Sequence, residues 1–138
     1  MKIAVTGAAG HIGSAICREL LERGYEVQAL VYNDYDAIRE LPVTFIKGNV
    51  LDRASLTKLM GACDVVIHTA GMIELGYKFV QKVYDINVIG TKNVLEVARE
   101  SGIKKVVHFS SIHAFNNQPY DIPIDETRHF VTEKSVFY

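Results

Sequence analysis

Near the N-terminus, Thr6-Gly7-Ala8-Ala9-Gly10-His11-Ile12-Gly13 places glycines at every third position between an apolar run and an amphipathic one. Glycine there permits a tight turn and lets the backbone approach a pyrophosphate. A helix that opens at the same point offers N–H groups and the positive end of its dipole. The third glycine also lets helix and strand pack closely. The pattern is G-x-x-G-x-x-G rather than the common fingerprint G-x-G-x-x-G, yet its place between a first strand and a first helix makes dinucleotide binding the expected chemistry over a purely structural turn. The histidines and cysteines have no metal-ligand spacing, so no metal is expected. His68 and His108 fall in strand-like runs and read as core residues, His129 reads as a loop residue, and His11 is there for its backbone.

The elements that must position this loop are short apolar runs alternating with helical patterns. Residues 2–6, 26–32, 44–47, 65–69 and 105–110 are rich in Val and Ile and read as strands. Helices are predicted over 11–23, 34–40, 53–60 and 79–101. Continuous apolar stretches such as Val65-Val66-Ile67 indicate strands covered on both faces, and strand–helix alternation then implies βαβ units with a parallel sheet. The fold class is α/β, a doubly wound parallel sheet with strand order 3-2-1-4-5. Ile12, Ala15, Ile16 and Leu20 form the expected apolar face of the first helix. In the longest helix, Val80, Val83, Tyr84, Asn87, Val88, Thr91, Val94, Leu95 and Ala98 follow one helical face. Asn87 and Thr91 are thus polar residues in an apolar stripe, and a buried Asn without partners costs a few kcal/mol, on the order of 1–3.

Composition narrows the function classes. The 138 residues are 49% hydrophobic and 22% charged, with 15 Lys+Arg against 16 Asp+Glu. One domain, residues 1–138, is expected. A formal net charge of −1 leaves no basic footprint for nucleic acid and no general attraction to anionic membranes. No apolar run approaches the ~18–20 residues of a membrane-spanning helix. Cys17 and Cys63 read as reduced, buried thiols of a cytoplasmic protein.

Beyond the glycine loop, four further motifs follow in order: Gly48-Asn49-Val50-Leu51-Asp52 after the third strand, His68-Thr69-Ala70-Gly71 after the fourth, Asn87 in the long helix, and Ser110-Ser111 ending the fifth strand. Together they resemble the extended short-chain dehydrogenase/reductase family, the NAD-dependent epimerase/dehydratases, and most closely its dihydroflavonol-reductase-like branch. The resemblance runs through all 138 residues. It implies that Gly7, Gly10, His11, Ile12 and Gly13 bind the pyrophosphate of NAD or NADP. Asn49 and Val50 match the Asp–hydrophobic pair beside the adenine, with Asn in place of Asp, which could present its amide either way round. Ala70 and Gly71 match the turn that passes the ribose of the nicotinamide half. An acidic residue ending the second strand would select NAD and an Arg would suit NADP. Val31 and Tyr32 are neither, although Tyr32 could stack on the adenine, so the preference stays open.

For catalysis, the resemblance implies a hydroxyl that bonds the substrate oxygen, matched by Ser111 with Ser110 beside it, and a tyrosine proton donor, matched by Tyr138. Tyrosine serves at neutral pH only when nearby positive charge stabilises its phenolate. The family supplies a lysine four residues beyond the tyrosine, past residue 138, as is its substrate-binding C-terminal part. Residues 1–138 alone are therefore expected to be inactive or nearly so. Asn87 matches the family asparagine that orders a water through a local helix distortion, and Gly90 suits an irregular helix there. Ile112 and His113 stand where the family's sugar-nucleotide dehydratases carry Asp–Glu, which disfavours water elimination. His113 reads either as a substrate-facing group or as a solvated loop residue. The implied function is an NAD(P)-dependent oxidoreductase acting on a small carbonyl or hydroxyl substrate. A sugar-nucleotide epimerase and a non-catalytic NAD(P)-binding regulator are the alternatives. A homodimer through the helix at 79–101 is expected.

Overall fold

Runs rich in β-branched residues become five parallel strands in the computed structural model, which describes residues 1–33, 35–74, 79–116 and 118–131. They are β1 (Lys2–Thr6), β2 (Glu26–Val31), β3 (Thr44–Lys47), β4 (Val65–His68) and β5 (Lys105–His108). They pair in parallel in the order β3-β2-β1-β4-β5, as winding outward in both directions from β1 requires. The helices are α1 (His11–Glu22), α2 (Arg53–Met60), α3 (Gln81–Tyr84) and α4 (Thr91–Glu100), with a π-helical segment, Asp85–Gly90, joining the last two. Single 3₁₀ turns occur at Asp36–Ile38 and Ile112–Ala114.

Because strand side chains alternate between faces, the sheet carries two cores. Ala4, Leu30, Ile46 and Val66 pack with Leu56, Leu59 and Met60 of α2 and Val94, Val97 and Ala98 of α4. On the other face Ile3, Val5, Val27, Ala29 and Val31 pack with Ala8, Cys17 of α1 and Ile38. Burial on both faces explains why the strands read as continuous apolar runs. Arg53 ties the α2 and α4 ends together, reaching Glu96 at 2.6 Å and Glu100 at 2.8 Å. No helix among the described residues is long and apolar enough to cross a membrane.

Three expectations are corrected. The helix expected over 34–40 is only the 3₁₀ turn Asp36–Ile38. Ile38 buries itself there, and Leu41-Pro42 follows too soon for a longer helix. The helix over 79–101 begins at Gln81 and is divided by the π-helical segment. Its wide turn takes up an extra residue, so Tyr84, Val88 and Leu95 lie outside while Gly90 and Val97 join the buried edge. In α1 the buried residues are Gly13, Ser14 and Cys17. Ile12 is 51% exposed and Ala15 is also exposed, because the helix meets the sheet along Gly13 and Cys17, where Gly13 lets the backbone approach the Gly7 carbonyl.

Leu56 is 0% exposed in the α2 core. Leu56→Ala is expected to lower the unfolding free energy by about 3 kcal/mol in urea titration; a loss below about 1 kcal/mol would mean that this core re-closes around the gap.

Candidate functional site

Each candidate loop leaves the sheet at its carboxyl edge: Gly7 after β1, Tyr32 after β2, Gly48-Asn49-Val50 after β3, Thr69-Ala70-Gly71 after β4, and Ser110-Ser111 after β5. β1 and β4 flank the point where the winding reverses, the general ligand-binding position of open α/β sheets.

At that point the backbone packs on backbone. Gly7 has φ 68°, and a Cβ on it would lie 2.5 Å from the Ala70 nitrogen. A Cβ on Gly13 would lie 2.1 Å from the Gly7 oxygen, and one on Gly10 3.2 Å from the same atom. Gly10 N donates to Gly7 O at 2.9 Å, and Ser14 N to Gly10 O at 2.9 Å. Gly10 caps α1 without a side-chain hydrogen bond, and the first turn contains no acidic residue. His11 and Ile12 stand exposed beside it. The arrangement suits an anion at the helix terminus.

After β3, Ser55 holds the loop by donating from Oγ to Asn49 O at 3.1 Å and Asp52 O at 2.8 Å. Leu51 N donates to Asn49 Oδ1 at 2.8 Å, which settles the amide orientation: its oxygen is engaged by the backbone and its NH2 remains a donor. Val50 is buried against Gly90, where a Cβ would come within 2.5 Å of Val50 Cγ2. Tyr32 is 63% exposed at the end of β2.

Between β4, β5 and the π-helical segment lies a cleft of about 670 Å³ whose lining includes Ala70, Gly71, Asn87, His108, Ser110 and Ser111. Asn87 lies in the π-helical segment, so the expected distortion of the helix is present. Its amide is spent on one backbone unit. Met72 N donates to Oδ1 at 2.8 Å, and Nδ2 donates to Met72 O at 2.9 Å. Ser111 caps the 3₁₀ turn, its Oγ accepting from His113 N at 3.2 Å, which leaves the hydroxyl hydrogen available for another acceptor. Tyr138 lies outside the described residues.

His68 is 1% exposed, with Nδ1 2.6 Å from Thr6 Oγ1 and Nε2 2.9 Å from Thr91 Oγ1. Burial above all, then the neighbouring His108, pushes its imidazole down to about 4. It is the satisfied core residue expected. His108 is not. It is exposed on β5 at the sheet edge, lines the cleft, and stacks on His68 with ring centroids 5.2 Å apart. A signal was present in the sequence: each histidine ends its strand after two valine or isoleucine residues, and the two strands pair in register. Phe130 and Val131 also wall the cleft. They are brought there by the pairing of residues 115 and 130, which no local pattern announces. Burial pushes the Cys17 thiol up to about 11 and raises that of Cys63, so neither is an activated nucleophile.

The model of the NAD dependent epimerase/dehydratase family matches residues 3–137. Among curated relatives, sterol demethylase protein B of Methylococcus capsulatus is 35% identical over 121 residues, covering 86% of this chain and 37% of its own. The putative dihydroflavonol 4-reductase of Synechocystis is 34% identical over 134 residues, covering 96% of this chain and 39% of its own. Among solved structures, a UDP-glucose-4-epimerase from Stenotrophomonas maltophila with bound NAD and formylated UDP-arabinopyranose superposes with a TM-score of 0.84 at 27% identity, over 96% of this chain and 43% of that one. The chain thus spans less than half the length of each.

The lowered value of His68 implies a pH dependence. The unfolded chain takes up the proton first, near the ordinary 6.5. Stability from keeping the ring neutral is therefore complete above that pH and is lost as pH falls toward 4, by up to roughly 3 kcal/mol. Urea titrations at about pH 7 and about pH 4.5 are expected to show this loss, and His68→Gln is expected to remove it. An equal loss in the variant would refute the assignment.

Proposed function

The chain belongs to the NAD-dependent epimerase/dehydratase family, and from that membership we propose that it binds a nicotinamide adenine dinucleotide across the carboxyl edge of its sheet and serves hydride transfer at a carbon that bears oxygen. The glycine cradle carries the reading. Its backbone leaves no room for Cβ atoms at Gly7 and Gly13, and it opens on a helix terminus with neither a side-chain cap nor a carboxylate. That is the space and polarity a pyrophosphate needs. Gly7, Gly10, His11, Ile12 and Gly13 would hold it. Tyr32, Asn49 and Val50 would flank the adenosine half, and Ala70, Gly71 and Ser110 the nicotinamide half. When bound, the nicotinamide supplies or accepts the hydride.

The chain's own groups have separate tasks. The Ser111 hydroxyl hydrogen bonds the substrate oxygen, while Tyr138 is assigned as proton donor by its place in the family motif. Asn87 holds the turn at 70–72 through Met72. Val31 is buried and Tyr32 exposed where a ribose-selecting carboxylate or arginine would stand, so NAD and NADP are distinguished by titration. The reaction proposed is oxidation–reduction of a small carbonyl or hydroxyl compound. Met72, Ile73, Phe109 and Phe130 on the cleft wall support a compact uncharged group at that end. Sugar-nucleotide epimerisation uses the same hydride transfer and is the second reading, favoured by the likeness to UDP-glucose-4-epimerase. Ser111 in the cleft supports an enzyme over a non-catalytic regulator. Residues 1–138 are proposed to act as one nucleotide-binding domain, and the free thiols support a cytoplasmic setting. Tyr84, Val88 and Leu95, exposed on α3, the π-helical segment and α4, supply an apolar surface for a homodimer.

Calorimetric titration with NADH and NADPH is expected to show binding of one in preference. Gly10 has φ −74° and ψ 172°, which alanine also adopts, so Gly10→Ala is expected to keep stability within about 1 kcal/mol while weakening cofactor at least about tenfold. Absence of binding by the folded chain would overturn the reading. For the dimer, Val88→Glu is expected to give a monomer by sedimentation at a concentration where the parent associates; an unchanged species would exclude this face.

A further inference from the structure

We propose that His68 is a positioning residue of the cleft, the middle of a one-way chain of hydrogen bonds from the Thr6 hydroxyl through the ring and the Thr91 hydroxyl to the Asn87 carbonyl. The direction follows from counting hydrogens. A threonine hydroxyl carries one hydrogen. Thr91 Oγ1 is 2.7 Å from Asn87 O, an atom that can only accept. The Thr91 hydroxyl therefore donates there and accepts from His68 Nε2, 2.9 Å away, which puts the ring proton on Nε2. Nδ1 is then the acceptor for the Thr6 hydroxyl at 2.6 Å. Reversed, Thr6 Oγ1 would face two donors, the ring N–H and Ala70 N at 3.4 Å, and its own hydrogen would have no acceptor. The Asn87 carbonyl would also lose its hydroxyl partner.

Both ring nitrogens are thus occupied, and the side chain is buried. His68 has neither a proton nor a lone pair to offer the cleft, so its task is geometric. It joins the end of β1, where the glycine loop begins, to the end of β4 and the π-helical segment. Asn87 is gripped at its carbonyl by Thr91 and grips both polar atoms of Met72 with its amide. Through these contacts His68 fixes the turn at 70–72 against Gly7. Its effect on cofactor rests on the proposed nucleotide site, whereas its effect on the turn does not.

The experiment separates the two. In the ¹⁵N-labelled full chain at neutral pH, the His68 ring is expected as the single Nε2–H tautomer; the Nδ1–H form or an average of both overturns the chain's direction. Thr91→Val removes the hydroxyl with little change of shape, and Thr91→Ser restores it. Amide exchange of Met72 is expected to quicken about tenfold in the valine variant and to return in the serine variant, with Ala29 of β2 unchanged in both. Unchanged Met72 exchange, or equal quickening at Ala29, overturns the positioning role. NADH affinity is expected to fall about tenfold with valine and recover with serine. Equal affinity in the valine variant overturns the link to cofactor. A parent chain that binds neither NADH nor NADPH overturns the nucleotide reading, while tautomer and exchange still decide the positioning role.

Discussion

Contact of backbone on backbone at the exit of β1 is the constraint from which the site follows. Gly13 sits so close to the Gly7 carbonyl, and Gly7 so close to the Ala70 amide, that no Cβ fits at either place. That distance sets how near α1 lies to the sheet, and it selects Ala8, Ser14 and Cys17 as neighbours in place of larger residues. It also brings the first turn of α1 and the loop after β4 to the same edge. A larger residue at position 13 would lift α1, open the core around Cys17, and part the two loops together.

The same device recurs along the carboxyl edge. A Cβ on Gly48 would meet Ser55 Cβ at 2.2 Å, and one on Gly90 would meet Val50 Cγ2 at 2.5 Å. Gly13 therefore sets the approach of α1, Gly48 that of α2, and Gly90 that of the π-helical segment. Close approach places backbone polar groups near one another, and these must be paired. Ser55 Oγ, Asn49 Oδ1 and Asn93 Nδ2 pair with the loop at 49–52. Among the described residues no buried side-chain nitrogen or oxygen lacks a partner. The edge is closely packed for the reason that it is bare: small residues admit the backbone, and short polar side chains then hold it.

The layering was legible because the strands are short Val- and Ile-rich runs and helical patterns separate most of them. Residues 2–6, 44–47 and 53–60 coincide with β1, β3 and α2. The glycine loop was legible too, since its spacing has one inexpensive physical explanation. What escaped depends on contacts distant in sequence. Ile12 and Ala15 fit a helical stripe as well as Gly13 and Cys17 do, and only the closeness of the sheet favours the smaller pair. His108 looks like a core residue in its strand, but it lies at the edge and faces the cleft. Phe130 reaches the cleft through pairing with Phe115, and such pairing has no local signature.

The π-helical segment shows how one irregular turn reconciles two demands on a single helix. A regular helix over 79–101 would place Tyr84, Val88 and Leu95 on the same face as Val83 and Val94. The wide turn brings Gly90 to the buried edge, so that the backbone can approach Val50, while the Thr91 hydroxyl bonds Asn87 O one turn back. Burying Asn87 and Thr91 in an apolar stripe would ordinarily cost about 1–3 kcal/mol for each unpaired group. Here every such group is met by Met72, His68 or the other member of the pair. Polar residues therefore occupy the inner side of this helix next to the cleft, and Tyr84, Val88 and Leu95 are displaced to the outside. The apolar face turns outward on the same helix whose inner side carries the hydrogen-bonded cleft wall.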